Sequence, residues 1–484
     1  HTVRKEETQT CSDCHLSESG DNNAIMAQTL GYGTDFIDFI GYNAWVGTTE
    51  AVEAVQVTEW TEPQAVIGSY LHNVVYPDFY KKHAENGKEL ETAHRHKSGQ
   101  VGCLQLRGEY LFAAAGEQGT VVYDVASIAN KGVSQRIITA PFSSLGHDTI
   151  VESTNATCLS LSTTQPVAPY RNEGELMREV NQEKPFHPIY NYVVITDSTE
   201  GVILSDINTL SDGDPRNNYL TRALTWNEGG LLDGARDIEI GGRYAYIMAD
   251  AGLIVMDFDQ PLEPQHIATI PLNDGRDVFQ QFRYLFVTDA DGLKTVDITN
   301  PRSPHLIADN TVELEDAHRV FIARTYAYVA AGAEGLVIVD ITKPEQMQVH
   351  NRLTDGIVDA RDVVVASTNA SLYPYVADGK DGLKVVQLMS PVSQPRYYGF
   401  SAEPIPELIA SYPMQGAAIS LSRGLERDRA VDESGGQVAV SNRLGAGPLS
   451  KEDMRKLYLD ANGKPWFVED EPETIEFKQA KSHD

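Results

Sequence analysis

Tyr326-Ala-Tyr-Val-Ala-Ala-Gly-Ala-Glu-Gly-Leu-Val-Ile-Val-Asp-Ile-Thr-Lys-Pro344 holds an aromatic-rich strand, a tight glycine turn, an apolar strand, then Asp and a Pro shortly after. Two strands joined through a glycine turn make a hairpin. The same pattern returns at Tyr284 to Pro301, with the turn Asp289-Ala-Asp-Gly292, and again at Tyr244 to Pro261 and Tyr373 to Pro391. More worn copies start at Tyr110, with turn Gly119, and at Tyr190, with turn Gly201. A further copy lies upstream, where Tyr42-Asn-Ala-Trp-Val-Gly is followed by Val55-Gln-Val-Thr-Glu-Trp-Thr-Glu-Pro63. That makes seven copies, and Arg429 to Val440 reads as a degenerate eighth.

A short alternating strand precedes most copies: Ala235 to Ile240, Gly275 to Val278, Ala317 to Val320 and Ala360 to Val363, with Gly146-His-Asp-Thr149 as the counterpart in the Tyr190 unit. With an outer strand after the Pro, each unit becomes a four-stranded antiparallel blade. One blade cannot bury both of its faces, so blades stack, and a closed ring leaves no open ends. The expected fold class is therefore all-β, a β-propeller of seven such blades, with eight or six left open. Residues 35–447 form the propeller, with a His-rich insertion at 70–100 and a loop insertion at 153–188. Residues 1–34 precede it. Nothing reads with a helical period until Ser450 to Leu459, so 448–484 is expected to be a short helix and an acidic tail.

Ahead of the first blade stands Cys11-Ser-Asp-Cys-His15. In this spacing two thiols add across the haem vinyl groups and the adjacent His reaches the iron. A thioredoxin-like redox pair would want a surrounding βαβ pattern, and a zinc site a second Cys/His pair. Neither is present, so one covalent haem c is expected on Cys11 and Cys14, with His15 as proximal ligand. Candidates for the distal ligand, or for a ligand to a neighbouring haem, are His1 and the His72, His83, His94 and His96 of the insertion, which is expected to lie between the first two blades and on a rim. Met26 is closer in sequence, but local packing explains it better.

The other two cysteines, Cys103 and Cys158, fall in apolar inner-strand stretches and are expected to be free thiols, with a disulfide between them left open. The Arg236-Asp237, Arg276-Asp277 and Arg361-Asp362 pairs, with His147-Asp148 and His318-Arg319, recur once per blade and should face the channel. There they are expected to tie neighbouring blades. Asp289 to Gly292 and Asp378 to Gly382 resemble calcium-loop fragments, but they lack the closing Glu, and turn chemistry accounts for them; calcium is a weak second cofactor candidate.

Leu336-Val-Ile-Val-Asp340, with variants at Leu293 to Asp297, Leu253 to Asp257 and Leu383 to Gln387, resembles the signature of the LVIVD-repeat proteins. The resemblance covers about residues 35–445. It implies a secreted propeller and names no reaction. Together with the Cys11 region, the chain is also similar to the C-terminal part of bacterial multihaem c-type cytochromes that carry LVIVD repeats, from which it departs in having a single haem motif.

The formal charge is -30 with 41% hydrophobic residues. Such an acidic chain is not expected to bind nucleic acid, and no apolar run is long enough to span a bilayer. The expected function is electron transfer as a c-type cytochrome in the periplasm, at the cell surface or outside the cell. Its expected partners are other cytochromes, further copies of itself, or a redox partner with a basic surface. Two alternatives stay open: a scaffold subunit of an extracellular cytochrome complex, and a haem-dependent periplasmic oxidoreductase with its substrate in the propeller channel.

Overall fold

A computed structural model describes residues 43–58, 65–107, 110–124, 138–139, 150–163, 174–180, 186–211, 220–368, 371–390, 392–394 and 403–423. Within these residues the strands build seven blades. Five of them are separate sheets of four or five strands, and the sixth sheet, of nine strands, is two blades fused edge to edge. Blade 6 holds the decisive stretch: Val320–Ala323, Tyr326–Ala330, Leu336–Asp340 and Gln348–Leu353 run from the axis outward. Blades 4, 5 and 7 repeat it, with inner strands Asp237–Gly241, Asp277–Gln281 and Asp362–Thr368. Blade 2 begins at Cys103–Arg107 and blade 3 at Ala156–Leu161.

Blade 1 closes the ring. Its inner strand, Ala418–Arg423, comes from the far end of the described chain and pairs with Asn43–Thr48. The same strand runs parallel to the start of blade 2, through Ser422 to Leu104 and Arg423 to Gln105. Inner strands touch from blade to blade all the way round. The ring thus closes at seven; the eighth copy expected at 429–440 and the helix at 450–459 lie outside the described residues.

The strand sequences follow from this stacking. Middle strands are covered on both faces, so Gly252–Asp257 and Leu336–Asp340 are nearly continuous apolar runs and are buried along their length apart from the partly exposed Asp340. The outer strand Gln265–Ile270 meets water and carries polar residues. Tyr246, Tyr284, Tyr328 and Tyr375, from the aromatic strand of four blades, are among the largest fully buried side chains. Each turn glycine sits where the chain crosses close to the outer strand. Gly335 has φ +75°, and a Cβ there would lie 2.2 Å from the Leu353 carbonyl oxygen.

The Asp that ends the repeat is a turn residue. The Oδ1 of Asp340, Asp297, Asp257 and Asp206 each accepts the backbone N–H two residues on, at 2.7–3.0 Å. In blade 3 the hairpin turn itself is held by Asp197, which is fully buried. Its carboxylate accepts the N–H groups of Thr199 at 2.8 Å, Glu200 at 2.9 Å and Asn155 at 2.5 Å. Burial pushes the Asp197 carboxyl up, but these donors outweigh it and hold it below the usual range. A depressed carboxyl stabilises the fold above the ordinary Asp value, and that contribution is lost as pH falls through its lowered one. Asp197→Asn is therefore expected to cost about 1–3 kcal/mol at neutral pH. Urea melts of both proteins should converge as the pH drops below about 4; a constant gap across that range would contradict the assignment.

Several expectations are corrected here. Two helices, Tyr70–Val75 and Pro77–Glu85, occur within the 70–100 insertion, where no helix was expected. Each is too short to display a period; Ser69 caps the first by accepting the His72 N–H, and Pro77 starts the second. The insertion also lies within blade 1, between its third strand and its outer strand Glu91–Lys97, not between two blades. The inner strand of blade 3 is Ala156–Leu161, inside the expected 153–188 insertion, so Gly146 to Thr149 is not its inner-strand counterpart. Cys103 and Cys158 are joined in a disulfide, with Cα atoms 4.8 Å apart, and are not free thiols. They stand on neighbouring inner strands, which brings thiols 55 residues apart in sequence into bonding range.

Candidate functional site

Among the described residues, buried charges gather at the propeller axis. Asp237, Asp277 and Asp362 open the inner strands of blades 4, 5 and 7, and all three are buried. Each laces its blade to the next. Val278 N–H donates to Asp237 at 2.9 Å, Val320 N–H to Asp277 at 2.8 Å, and Leu421 N–H to Asp362 at 2.7 Å. This is the tying role expected of the Arg-Asp pairs. Charge-assisted bonds of this kind are among the stronger ones.

Blade 6 breaks the pattern with Arg319. Its guanidinium reaches across the axis, 3.4 Å from Asp237, 3.5 Å from Asp277 and 3.9 Å from Asp362, and donates to the Gly102 carbonyl of blade 2 at 3.0 Å. One cation thus links blades 2, 4, 5, 6 and 7. Two residues further along their strands, on the same face, Phe279 and Phe321 pack against each other at a tilt of 57° with centroids 5.0 Å apart. The space left beside Arg319, Cys103 and Asp362 holds little more than one water molecule. Arg319 and the Phe279–Phe321 pair occupy this part of the axis.

The arginines that precede the aspartates point to the rim. Arg236 pairs with Asp250 and Asp274, and Arg276 pairs with Asp316 at 2.8 Å. His318 Nε2 lies 2.9 Å from Asp316 and 3.1 Å from Arg361. Burial is the main reason His318 sits below its ordinary pKa, Arg361 and Arg276 adding to the effect and Asp316 opposing it. His147 and Asp148 lie outside the described residues.

The histidines of the insertion divide into two groups. His72 and His83 come together between the two helices, with ring centroids 5.5 Å apart and Tyr76 and Tyr80 beside His72. His72 is fully buried, and its Nδ1 accepts the Gly68 N–H at 3.0 Å. His83 Nδ1 is 2.9 Å from the Glu89 carbonyl. Access of an iron to His72 therefore requires the helix pair to open. His94 and His96 lie on the outer strand of blade 1, paired with Ala54 and Val52. His96 packs edge-on against Tyr123, and burial lowers its pKa. Cys11, Cys14, His15 and His1 lie outside the described residues, as does Met26.

The calcium-like turns are occupied by ammonium groups. Lys294 Nζ lies 2.6 Å from both Asp289 and Asp291, and Lys384 Nζ lies 3.8 Å from Asp378. Among the described residues no group of three or more His, Cys, Asp or Glu could hold a metal ion. Nor is any described helix long and apolar enough to cross a membrane. An acidic cleft on blades 5 and 6 is lined by Asp291, Glu313, Glu315 and Glu334 around Lys294.

The repeat identity is borne out by comparison. The LVIVD repeat matches at residues 234–265, 277–311 and 315–355, which are blades 4, 5 and 6. No curated protein matches the chain. Among solved structures, the periplasmic gluconolactonase of Pseudomonas aeruginosa superposes with TM-score 0.51 at 11% identity, over 78% of this chain and 98% of that one. A protein from Lactobacillus plantarum follows with TM-score 0.47 at 10% identity, over 79% of this chain and 99% of that one. At 11% identity the likeness to the gluconolactonase is one of fold alone; the chain is a β-propeller, and its LVIVD repeats rest on the family match.

Proposed function

We propose that this chain is a c-type cytochrome in which Cys11, Cys14 and His15 hold one haem and the propeller presents it to redox partners. The observation that carries this reading is the Cys-x-x-Cys-His spacing, whose two thiols and adjacent imidazole are the donor set that covalent haem requires. When bound, the haem supplies one-electron redox chemistry. Cys11 and Cys14 would hold it through thioether bonds, and the His15 imidazole would supply a ligand to its iron. A further iron ligand would come from His1, His94 or His96, or from His72 or His83 if the helix pair opens. Calcium has no comparable support, because lysines take the cation positions.

The disulfide supports a periplasmic, cell-surface or extracellular location, since such bonds persist in oxidising compartments. The charge of -30 and the acidic cleft favour a redox partner with a basic surface. One haem relays electrons only to a neighbour, so the partner is another cytochrome or a further copy of this chain. Where Arg319 and the Phe279–Phe321 pair stand, the axis leaves little room for a substrate, which weighs against the oxidoreductase alternative at that level. A scaffold subunit within a larger cytochrome assembly is the second reading.

Redox titration followed by absorption spectroscopy tests the proposal. Six-coordinate, low-spin bands that ignore added cyanide are expected of an electron carrier. A high-spin ferric haem that binds cyanide or peroxide would favour the oxidoreductase instead. The carrier and scaffold readings part on deletion of the chain from its assembly: electron flow stops with the partners still assembled in the first, and assembly itself fails in the second.

A further inference from the structure

The strand register places Cys103 and Cys158 at the axial position that Asp237, Asp277 and Asp362 hold elsewhere. Each pairs with a residue whose own partner is one step from the turn glycine. Cys103 faces Ala114 and then Thr120 beside Gly119; Cys158 faces Thr196 and then Val202 beside Gly201. In the same way Asp277 faces Thr288 and then Leu293 beside Gly292. Where the Asp blades lace to the next blade by a carboxylate and a backbone N–H, blades 2 and 3 have no carboxylate to offer. The disulfide stands in its place.

We propose that the Cys103–Cys158 bond is the covalent clasp of the ring between blades 2 and 3, formed by exchange with an oxidised dithiol donor and then sealed from exchange by the finished fold. In the forming step a Cys103 or Cys158 thiolate attacks the donor disulfide. The second thiolate then displaces the donor. The pair loses two electrons and two protons, and the donor leaves as a dithiol.

Reversal needs a thiolate to reach one sulfur in line. Cys103 is 4% exposed and Cys158 1%, and the small space that Cys103 lines is shared with Arg319, so the attack is sterically hindered in the folded ring. The Cys158 sulfur also lies 3.3 Å from the Asp237 carboxylate, so expelling it as a thiolate would set two negative charges side by side. The clasp is therefore a device that closes once. Ring closure is tied to an oxidising compartment, and later exposure to reductant leaves the folded ring intact.

The intact, matured protein is treated with dithiothreitol and iodoacetamide, and labelled cysteines are mapped by peptide mass spectrometry. In native buffer Cys103 and Cys158 are expected to stay unlabelled under conditions that reduce an exposed disulfide completely; in denaturant both label. Labelling of both in native buffer at the exposed rate overturns the proposal. A second measurement tests the lacing equivalence. Cys103→Ala/Cys158→Ala is expected to melt lower than the wild type by on the order of 5 °C. Cys103→Asp/Cys158→Ala should regain part of that loss, because a carboxylate at the first of these positions can accept the Leu159 N–H and face Arg319. Equal melting of wild type and the double-alanine variant, or of the two double variants, contradicts the clasp. If neither double variant folds, native labelling of the wild type decides.

Discussion

Arg319→Leu is expected to destabilise the propeller by about 3–5 kcal/mol, the cost of removing one partner from a buried ionic cluster. The guanidinium faces three carboxylates that lie at or near zero exposure, and it is their shared counter-ion across the axis. Leucine fills part of the space but leaves Asp237, Asp277 and Asp362 close together without that cation. An outer-surface pair gives the contrast. Arg352 bonds Glu334 with both side chains partly exposed, so Arg352→Leu should cost at most about 1 kcal/mol. Equilibrium denaturation of both variants checks the difference. A loss for Arg319→Leu no larger than for Arg352→Leu would show that the axis does not depend on its cation. Adding Asp237→Asn to Arg319→Leu should recover part of the loss, since the two residues share one charge cluster.

Cys11→Ala/Cys14→Ala is expected to abolish all haem that survives denaturation and to cut the redox activity, while the melting of the propeller stays unchanged. Without two thiols no thioether can form, and a haem held by His15 alone is lost on denaturation. A haem stain after denaturing electrophoresis reads this directly. A stained band from the double variant, or redox activity undiminished in it, would remove Cys11 and Cys14 from the proposed role. The effect is all or none, which separates it from the graded losses expected at the axis.

The hairpins were legible because their physics is local. An aromatic strand, a glycine with no room for a Cβ and an apolar strand ending in a turn-forming Asp all lie close together in the chain, and all seven copies read from the sequence became blades. What escaped is non-local. The closing strand Ala418–Arg423 is a short alternating stretch whose partner, Asn43–Thr48, lies at the other end of the described chain. The helices at Tyr70–Val75 and Pro77–Glu85 owe their existence to a Ser69 cap, a proline start and the buried His72–His83 contact.

The axis was half legible. Aligning Arg236-Asp237 with His318-Arg319 marked the equivalent positions, but not that one arginine spans five blades. The disulfide also has a signal in the sequence. Cys103-Leu104 and Cys158-Leu159 repeat the polar-then-apolar step of Asp237-Ile238, Asp277-Val278 and Asp362-Val363, one blade apart. Two cysteines at one repeat position in adjacent blades are neighbours on the ring. Among the distal-ligand candidates, burial separates His72 from His96 in a way that spacing alone could not.

Intact-mass spectrometry on the chain, produced in a host that matures c-type cytochromes, tests the haem assignment most directly when combined with an absorption spectrum and a thiol count. The expected product is coloured, heavier than the polypeptide by one haem, and without reactive thiols even in denaturant until the Cys103–Cys158 bond is reduced. A colourless chain at its bare polypeptide mass, with Cys11 and Cys14 open to alkylation, would contradict it.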